Sequence, residues 1–203
     1  MLTLYGNKNS GNSYKTKLTC ELLGIDYHWV EIDILAKENR EPEYLAINPL
    51  GQVPALKIEP DNNDAATILV ESNAIIRYLA DGSRLIPTDR LGYAQMWQWL
   101  LYEQTEVRAN IGPVRFIKKF QNMPHDRLDE YKTKFAKSKT VLQHLNEQLD
   151  GQNFILGDTV SLADIALYAY THVAEDGGLD LAPFENLRAW FGRIEGLDGF
   201  MAM

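Results

Sequence analysis

Cysteine is nearly absent from this 203-residue chain, with Cys20 standing alone. A single cysteine excludes an internal disulfide, a Cys-x-x-Cys redox pair and any metal site built on cysteines. Histidine is scarce too, and His28, His125, His144 and His172 show no metal-ligand spacing, so no metal is expected. No run of about 18 apolar residues occurs, and no basic leader precedes Leu2-Thr3-Leu4-Tyr5. These absences predict a soluble, cytoplasmic protein that makes no use of a membrane. Positive charge is also in short supply, with 20 Lys and Arg against 28 Asp and Glu and a net charge of -8. The basic residues are scattered apart from short groups such as Arg115 to Lys119, which opposes binding to a phosphate backbone and argues against nucleic acid as a partner.

What is present suits an ordinary globular protein, 45% hydrophobic and 24% charged, long enough for one large domain or two small ones. Residues 2–5 read as a short buried strand ended by the turn formers Gly6 to Asn12. A helix follows, with Ser13 as its expected cap, Leu18, Leu22 and Leu23 on its buried side and Gly24 after its end. Tyr27 to Ile32 reads as a second strand, and the long crossover implies that it runs parallel to the first. A short helical piece is expected at Glu43 to Ile47. Strands at Ala55 to Ile58 and Thr67 to Val70, joined by the turn-rich Glu59 to Asp64, suit an antiparallel hairpin, and a helix from Ser72 to about Ala80 closes the unit.

Beyond Asp81 to Arg90 the pattern is helical throughout. Leu91 to Phe120 places apolar residues at 93, 96, 97, 100, 107, 111 and 114, with Gly112-Pro113 expected to kink the helix. Tyr131, Phe135, Leu142, Leu145 and Leu149 follow helical spacing next. Ser161-Leu162-Ala163-Asp164 reads as a capping box with Asp in the usual Glu position, and Pro183 is expected to open a last helix carrying Leu187, Trp190, Phe191 and Ile194. The predicted fold is an α/β N-terminal domain over 1–81 and an all-helical C-terminal domain over 82–203.

Four local features could carry chemistry. Asn48-Pro49-Leu50-Gly51-Gln52-Val53-Pro54 precedes a strand, and a cis Pro54 would leave the backbone of Val53 able to pair with an extended, peptide-like ligand; a trans proline entering a strand is the plainer alternative. At Glu71-Ser72 a strand gives way to a helix, whose N–H groups favour a ligand carboxylate while Glu71 can pair with an ammonium, although Ser72 also fits a simple N-cap. The Ser10-Gly11-Asn12-Ser13 turn lies beyond the carboxyl end of the first strand, with two hydroxyls and an amide suited to stabilising an anion. It lacks both the phosphate-loop and the dinucleotide fingerprints. Arg108 and Arg115 sit seven apart on the long helix and are expected on one side near Gln104, lining a pocket or serving salt bridges. Cys20, inside the first helix, reads as a small buried hydrophobe.

In their order along the chain these motifs resemble the cytosolic glutathione transferases over essentially the whole length: Ser in the first turn, Asn-Pro-Leu-Gly-Gln-Val-Pro before the third strand, Glu-Ser-Asn-Ala-Ile-Ile-Arg-Tyr-Leu on the third helix and Ser-Leu-Ala-Asp-Ile late. The resemblance implies a thioredoxin-like N-terminal domain, a cis Pro54, Val53 pairing with the cysteinyl part of glutathione, and Glu71 with Ser72 holding its γ-glutamyl end. It implies a contact from Gln52, and contacts to the glycyl carboxylate from Lys37, Asn39 or Arg40. Ser10 falls where serine-type members hold the glutathione sulfur, with Asn12 and Ser13 as the other candidates. Glutathione would be a co-substrate rather than a bound cofactor. The second substrate would be a hydrophobic small-molecule electrophile, met between the turn at 8–13 and the helix carrying Gln104, Arg108 and Arg115. The resemblance further implies a homodimer.

Overall fold

The computed structural model describes residues 1–60 and 65–203. They form two compact units, residues 1–83 with 198–203, and residues 84–197.

The first unit is built on a four-stranded sheet in the order β2-β1-β3-β4. Its strands are β1 (Leu2–Gly6), β2 (His28–Glu31), β3 (Ala55–Ile58) and β4 (Thr67–Val70). β1 runs parallel to β2 from Thr3↔His28 to Gly6↔Glu31, and antiparallel to β3 from Leu2↔Ile58 to Tyr5↔Ala55. β3 and β4 pair antiparallel as expected, from Ala55↔Val70 to Ile58↔Thr67. The turn predicted between them falls in part on 61–64, outside the described residues. This mixture of directions brings the carboxyl ends of β1, β2 and β4 and the amino end of β3 to one edge of the sheet. Every loop leaving that edge is therefore a neighbour of the others.

Helix α1 (Gly11–Leu23) connects the two parallel strands. Its cap is Ser10 rather than the expected Ser13: the backbone of Ser10 is extended, and its Oγ accepts from the Ser13 N–H at 3.3 Å. Ser13 lies in the first turn, fully buried, with its own Oγ accepting from the Asn7 N–H at 3.1 Å. At the other end Gly24, at φ 62°, returns its N–H to the carbonyls of Cys20 and Glu21, a left-handed cap that glycine adopts without steric cost. Helix α2 (Pro42–Leu45) starts at a proline, whose missing N–H would be unpaired there in any case. Helix α3 (Ser72–Leu79) packs with α1, and Leu4, Cys20, Leu56, Ile75 and Leu79 make the shared core. Residues 198–203 belong to this unit, where the Tyr14 hydroxyl donates to the Met201 carbonyl at 2.7 Å.

The second unit is all-helical, with α4 (Arg90–Tyr102), α5 (Ala109–Arg115), α6 (Leu128–Gln148), α7 (Leu162–Thr171) and α8 (Glu185–Glu195). The predicted long helix is continuous in sequence but changes pitch, with wide π turns at Glu103–Arg108 and Phe116–Phe120 on either side of α5. Tyr93 is exposed and Trp97 only partly covered, while Trp99, Glu103 and Asn110 are buried. In α8 the four predicted apolar positions, Leu187, Trp190, Phe191 and Ile194, are all buried, although the helix begins at Glu185 rather than at Pro183.

Helix α7 is buried along its whole length, so its open N-terminus needs an internal partner. Asp164 supplies it. One carboxylate oxygen accepts from the backbone N–H and the hydroxyl of Ser161 at 2.8 and 2.9 Å, and the other from the Ile155 N–H at 2.8 Å and Trp190 Nε1 at 2.9 Å. Burial pushes this carboxyl up, and the four donors oppose that shift. Replacing Asp164 by Ala would strand four donors in a dry site. At about 1–3 kcal/mol for an orphaned buried group, with partial relaxation, we expect a loss of about 3–5 kcal/mol, read as a lower urea midpoint, and a smaller loss for Asp164→Asn. An unchanged midpoint would show that the network adds nothing to stability.

Candidate active site

Three segments meet at the shared edge of the sheet. The first is the turn of residues 7–13. Asn7 staples it to the neighbouring strand, its Nδ2 donating to the Ile32 carbonyl at 3.0 Å and to Glu31 Oε1 at 3.1 Å, while its Oδ1 accepts from the Asn9 N–H at 3.0 Å. Ser10 and Asn12 remain partly exposed on this turn and Ser13 does not. A side chain as buried as Ser13, with its oxygen on the backbone of Asn7, is poorly placed to meet a ligand.

The second segment, residues 48–54, is held by polar side chains on its backbone. The Gln52 carbonyl accepts from the Tyr44 hydroxyl at 2.6 Å and from Asn48 Nδ2 at 2.7 Å. Asn39 Nδ2 donates to the Gly51 carbonyl at 2.7 Å, and Arg40 Nη1 to the Leu50 carbonyl at 3.0 Å. Gly51 sits at φ 59°, and a Cβ there would come within 2.6 Å of both the Asn39 carbonyl oxygen and Arg40 Nη1, so the loop needs glycine at this point. The loop ends in a cis Val53–Pro54 peptide bond with Pro54 buried. Among the described residues no hydrogen bond engages the Val53 backbone, and the Gln52 side chain is exposed. Asn39 and Arg40, expected at a ligand, thus also hold the loop backbone. Lys37, at φ 67°, remains exposed at the start of the same turn.

The third segment is the passage from β4 into α3. Glu71 carries it at φ 71° and ψ 112°, which costs a residue with a Cβ roughly 1–3 kcal/mol and recurs at functional sites. Its side chain is exposed. Glu71 caps the helix and Ser72 is the first helical residue, contrary to the plain N-cap reading of Ser72. Ser72 is buried, and its Oγ donates to Asn12 Oδ1 at 3.2 Å, joining the third segment to the first. Beneath both lies Lys15, fully buried, its Nζ donating to Ser72 Oγ at 3.2 Å and to Asn73 Oδ1 at 3.1 Å.

Lys15, Asn73, Asn7 and Tyr44 had no place in the sequence reading of the site. For Lys15 a signal existed, because it precedes Leu18 and Leu22 by three and seven residues and so falls on the apolar stripe of α1. Cys20 is fully buried, and burial, with the charge of Glu21, pushes its thiol up to about 12. It therefore supplies no thiolate at neutral pH.

The second unit holds the remaining candidates. Arg108 is exposed and Arg115 buried, so their spacing of seven does not give them a common environment. Arg115 Nε pairs with Asp176 at 2.8 Å, and its guanidinium lies 5.3 Å from the Phe120 ring centre. Gln104 Nε2 donates to Glu103 Oε2 at 3.0 Å. Among the described residues no cluster of histidine, cysteine and carboxylates is arranged to hold a metal ion, and no helix is long and apolar enough to cross a membrane.

A mixed sheet with a cis-proline loop facing an open helix N-terminus, followed by an all-helical unit, defines a thioredoxin-like domain joined to a helical one. Residues 1–81 match the glutathione S-transferase N-terminal domain and residues 99–198 the C-terminal domain. Glutathione S-transferase GstA of Escherichia coli O157:H7 is 31% identical, the match covering 90% of this chain and 87% of that one. A crystal structure of a glutathione S-transferase from Pseudomonas fluorescens superposes with a TM-score of 0.93 at 38% identity, over 99% of this chain and 98% of that one. A glutathione transferase from Burkholderia graminis, solved with two glutathione molecules bound per subunit, superposes with a TM-score of 0.85 at 26% identity, over 98% of this chain and 85% of that one. The chain belongs to the glutathione S-transferase family, enzymes that use glutathione as co-substrate.

The backbone of Glu71 gives this site a measurable cost. Glycine would remove the penalty of the positive φ while adding about 0.5–1 kcal/mol of chain entropy, so Glu71→Gly is expected to stabilise the free protein by about 1 kcal/mol and raise its melting temperature by a few degrees. A lower melting temperature would mean that the Glu71 side chain contributes more to the fold than its backbone takes away.

Proposed function

We propose that this protein conjugates the glutathione thiolate to a hydrophobic small-molecule electrophile, as a cytoplasmic homodimer serving detoxification. One observation carries the reading: the unengaged Val53 backbone and the Glu71–Ser72 helix start share one sheet edge with the Ser10 turn. Glutathione has a thiol between a peptide-like middle and an α-amino-acid head, so it needs those three kinds of partner together. The head carries a carboxylate, suited to the N–H groups opening α3, and an ammonium, suited to Glu71. The cysteinyl part pairs with Val53 beside Pro54, Gln52 flanks it, and Lys37 is the exposed cation for the glycyl carboxylate, with Asn39 and Arg40 holding the loop. Gln104 and Arg108 contribute to the electrophile side, and Arg115 contributes through its ion pair with Asp176.

The chemistry needs a thiolate. A free thiol titrates near about 8.5, leaving a few per cent ionised at neutral pH, so donors aimed at sulfur must favour the anion. Ser10 suits this role, because its oxygen takes the Ser13 N–H and its own proton remains to donate. A serine hydroxyl has no useful basicity here and acts by donation alone. Sulfur then attacks the electrophilic carbon, forming the thioether and expelling the leaving group or saturating the double bond.

A second reading has its own support. The Burkholderia graminis relative holds two glutathione molecules per subunit. Two such thiols could reduce a disulfide or a peroxide with no protein cysteine: one thiolate attacks and releases a substrate thiolate or alkoxide, leaving a glutathionyl disulfide or sulfenic acid, and the second displaces the remaining substrate thiolate or water to give glutathione disulfide. Retention on immobilised glutathione, followed by turnover of an aryl halide and of a mixed disulfide, separates the cases. Aryl halide turnover supports conjugation, disulfide turnover alone supports reduction, and retention with neither indicates a binding module.

For the thiolate, Ser10→Ala should raise the apparent pKa of the rate–pH profile by about one unit and lower the neutral-pH rate about tenfold, with partial recovery at high pH. An unchanged profile, with an upward shift in Asn12→Ala instead, would move the role to Asn12. Glu71→Gly should also weaken calorimetric binding of glutathione by about 2–5 kcal/mol, and binding equal to the parent would refute the γ-glutamyl assignment.

A further inference from the structure

Lys15 is the least expected residue in this half of the chain, a fully buried lysine on α1 whose Nζ acts as a donor. Ordinary packing does not account for a lysine there, because an ammonium is costly to remove from water and is retained where its hydrogen bonds are specific. Two of those bonds go to Ser72 Oγ and Asn73 Oδ1, both at the start of α3.

The direction of these bonds has a consequence further along. An ammonium has donors and no acceptor, so it can meet Ser72 only at the oxygen. That oxygen accepts from Lys15, and the Ser72 hydroxyl donates to Asn12 Oδ1 at 3.2 Å. An amide whose oxygen is held in this way has its NH2 group turned from Ser72, and Asn12 itself is partly exposed. Without the lysine the Ser72–Asn12 contact has two equivalent polarities, because a hydroxyl can also accept from an amide NH2. In the reversed polarity the amide oxygen, a partial negative charge, faces outward.

We propose that Lys15 is a positioning residue for the thiol end of the site: through Ser72 it sets the amide of Asn12 with its NH2 donors outward, so that the turn offers hydrogen bonds to the glutathione sulfur. This rests on the reading of residues 10–13 as the thiol-binding turn. It makes one chain of the helix start that meets the γ-glutamyl head and the turn that meets sulfur, with the charge buried behind both. It also gives the Ser72 hydroxyl to Asn12, leaving the backbone N–H groups of α3 to meet the γ-glutamyl carboxylate.

The test is the ionisation of glutathione bound to the intact protein, followed by thiolate ultraviolet absorbance across pH. The parent should show a thiol pKa below that of free glutathione. Lys15→Met, similar in length and without donors, should raise it by about half a unit, less than Ser10→Ala does and a roughly threefold loss of thiolate at neutral pH. In an Asn12→Ala background the same substitution should add no further rise, because the group it orients is gone. A Lys15→Met protein with the parental thiol pKa overturns the proposal, as does an equal rise with and without Asn12. Should Lys15→Met fail to fold, Ser72→Ala breaks the chain at its middle and must give the same rise and the same dependence on Asn12; a parental pKa in that variant overturns the proposal. If the parent itself binds glutathione with the pKa of the free thiol, thiolate stabilisation by the turn is wrong and the proposal fails with it, whereas a lowered pKa in the parent that Lys15→Met leaves intact removes only the role of Lys15.

Discussion

The direction of the strands governs the N-terminal unit. β1 is parallel to one neighbour and antiparallel to the other, and β4 is antiparallel to β3. That arrangement gathers the ends that lead into residues 7–13, 32–54 and 71–73 along one edge, so segments separated by up to 60 positions become adjacent. The edge could not be assembled from a meander of hairpins, in which successive turns alternate between the two ends of the sheet. The long crossover through α1 supplies the parallel pair, and the shared Leu4, Cys20, Leu56, Ile75 and Leu79 core holds the helices to the sheet that needs them.

Once the segments are adjacent, their precision comes from polar side chains on main-chain groups. Tyr44 and Asn48 meet at one carbonyl, Asn39 and Arg40 hold the two before it, and Asn7 ties the first turn to the end of β2. Such bonds are individually worth about 1 kcal/mol in net terms, but they remove the freedom of segments that have no regular secondary structure. The result is a loop backbone set in place by side chains that donate to its carbonyls. In the helical unit Asp164 works in the same way, using a carboxylate to complete the opening of a buried helix.

The two short strands at 55–58 and 67–70 were legible to the residue, since each is a brief apolar run with turn formers around it. The capping box at Ser161 and Asp164 was legible because its chemistry is local, and so was the cis-proline loop once its motif was taken together with Glu71-Ser72. Long-range partnerships were not. Nothing near Lys15 in the chain says that Ser72 and Asn73, 57 and 58 residues away, will lie beside it. The first helix was started at the wrong serine because Ser10 and Ser13 are equally good caps, and only the extended backbone of Ser10 decides between them. For the arginine pair a spacing of seven says nothing of what covers each position: Arg115 is buried against Asp176 and Phe120, and Arg108 is exposed.

The burial of Cys20 also bears on how the enzyme withstands its own chemistry. A protein that uses glutathione also meets its disulfide, with which an accessible cysteine exchanges into a mixed disulfide. Exchange requires a cysteine thiolate that can reach and attack a disulfide sulfur, and Cys20, fully buried with its thiol pushed up to about 12, supplies none while the core is closed. The glutathione redox balance of its surroundings can therefore swing widely without leaving a covalent mark on the folded chain. Only unfolding would open this thiol to modification, which makes glutathione attached at Cys20 a chemical record of molecules that have lost their structure.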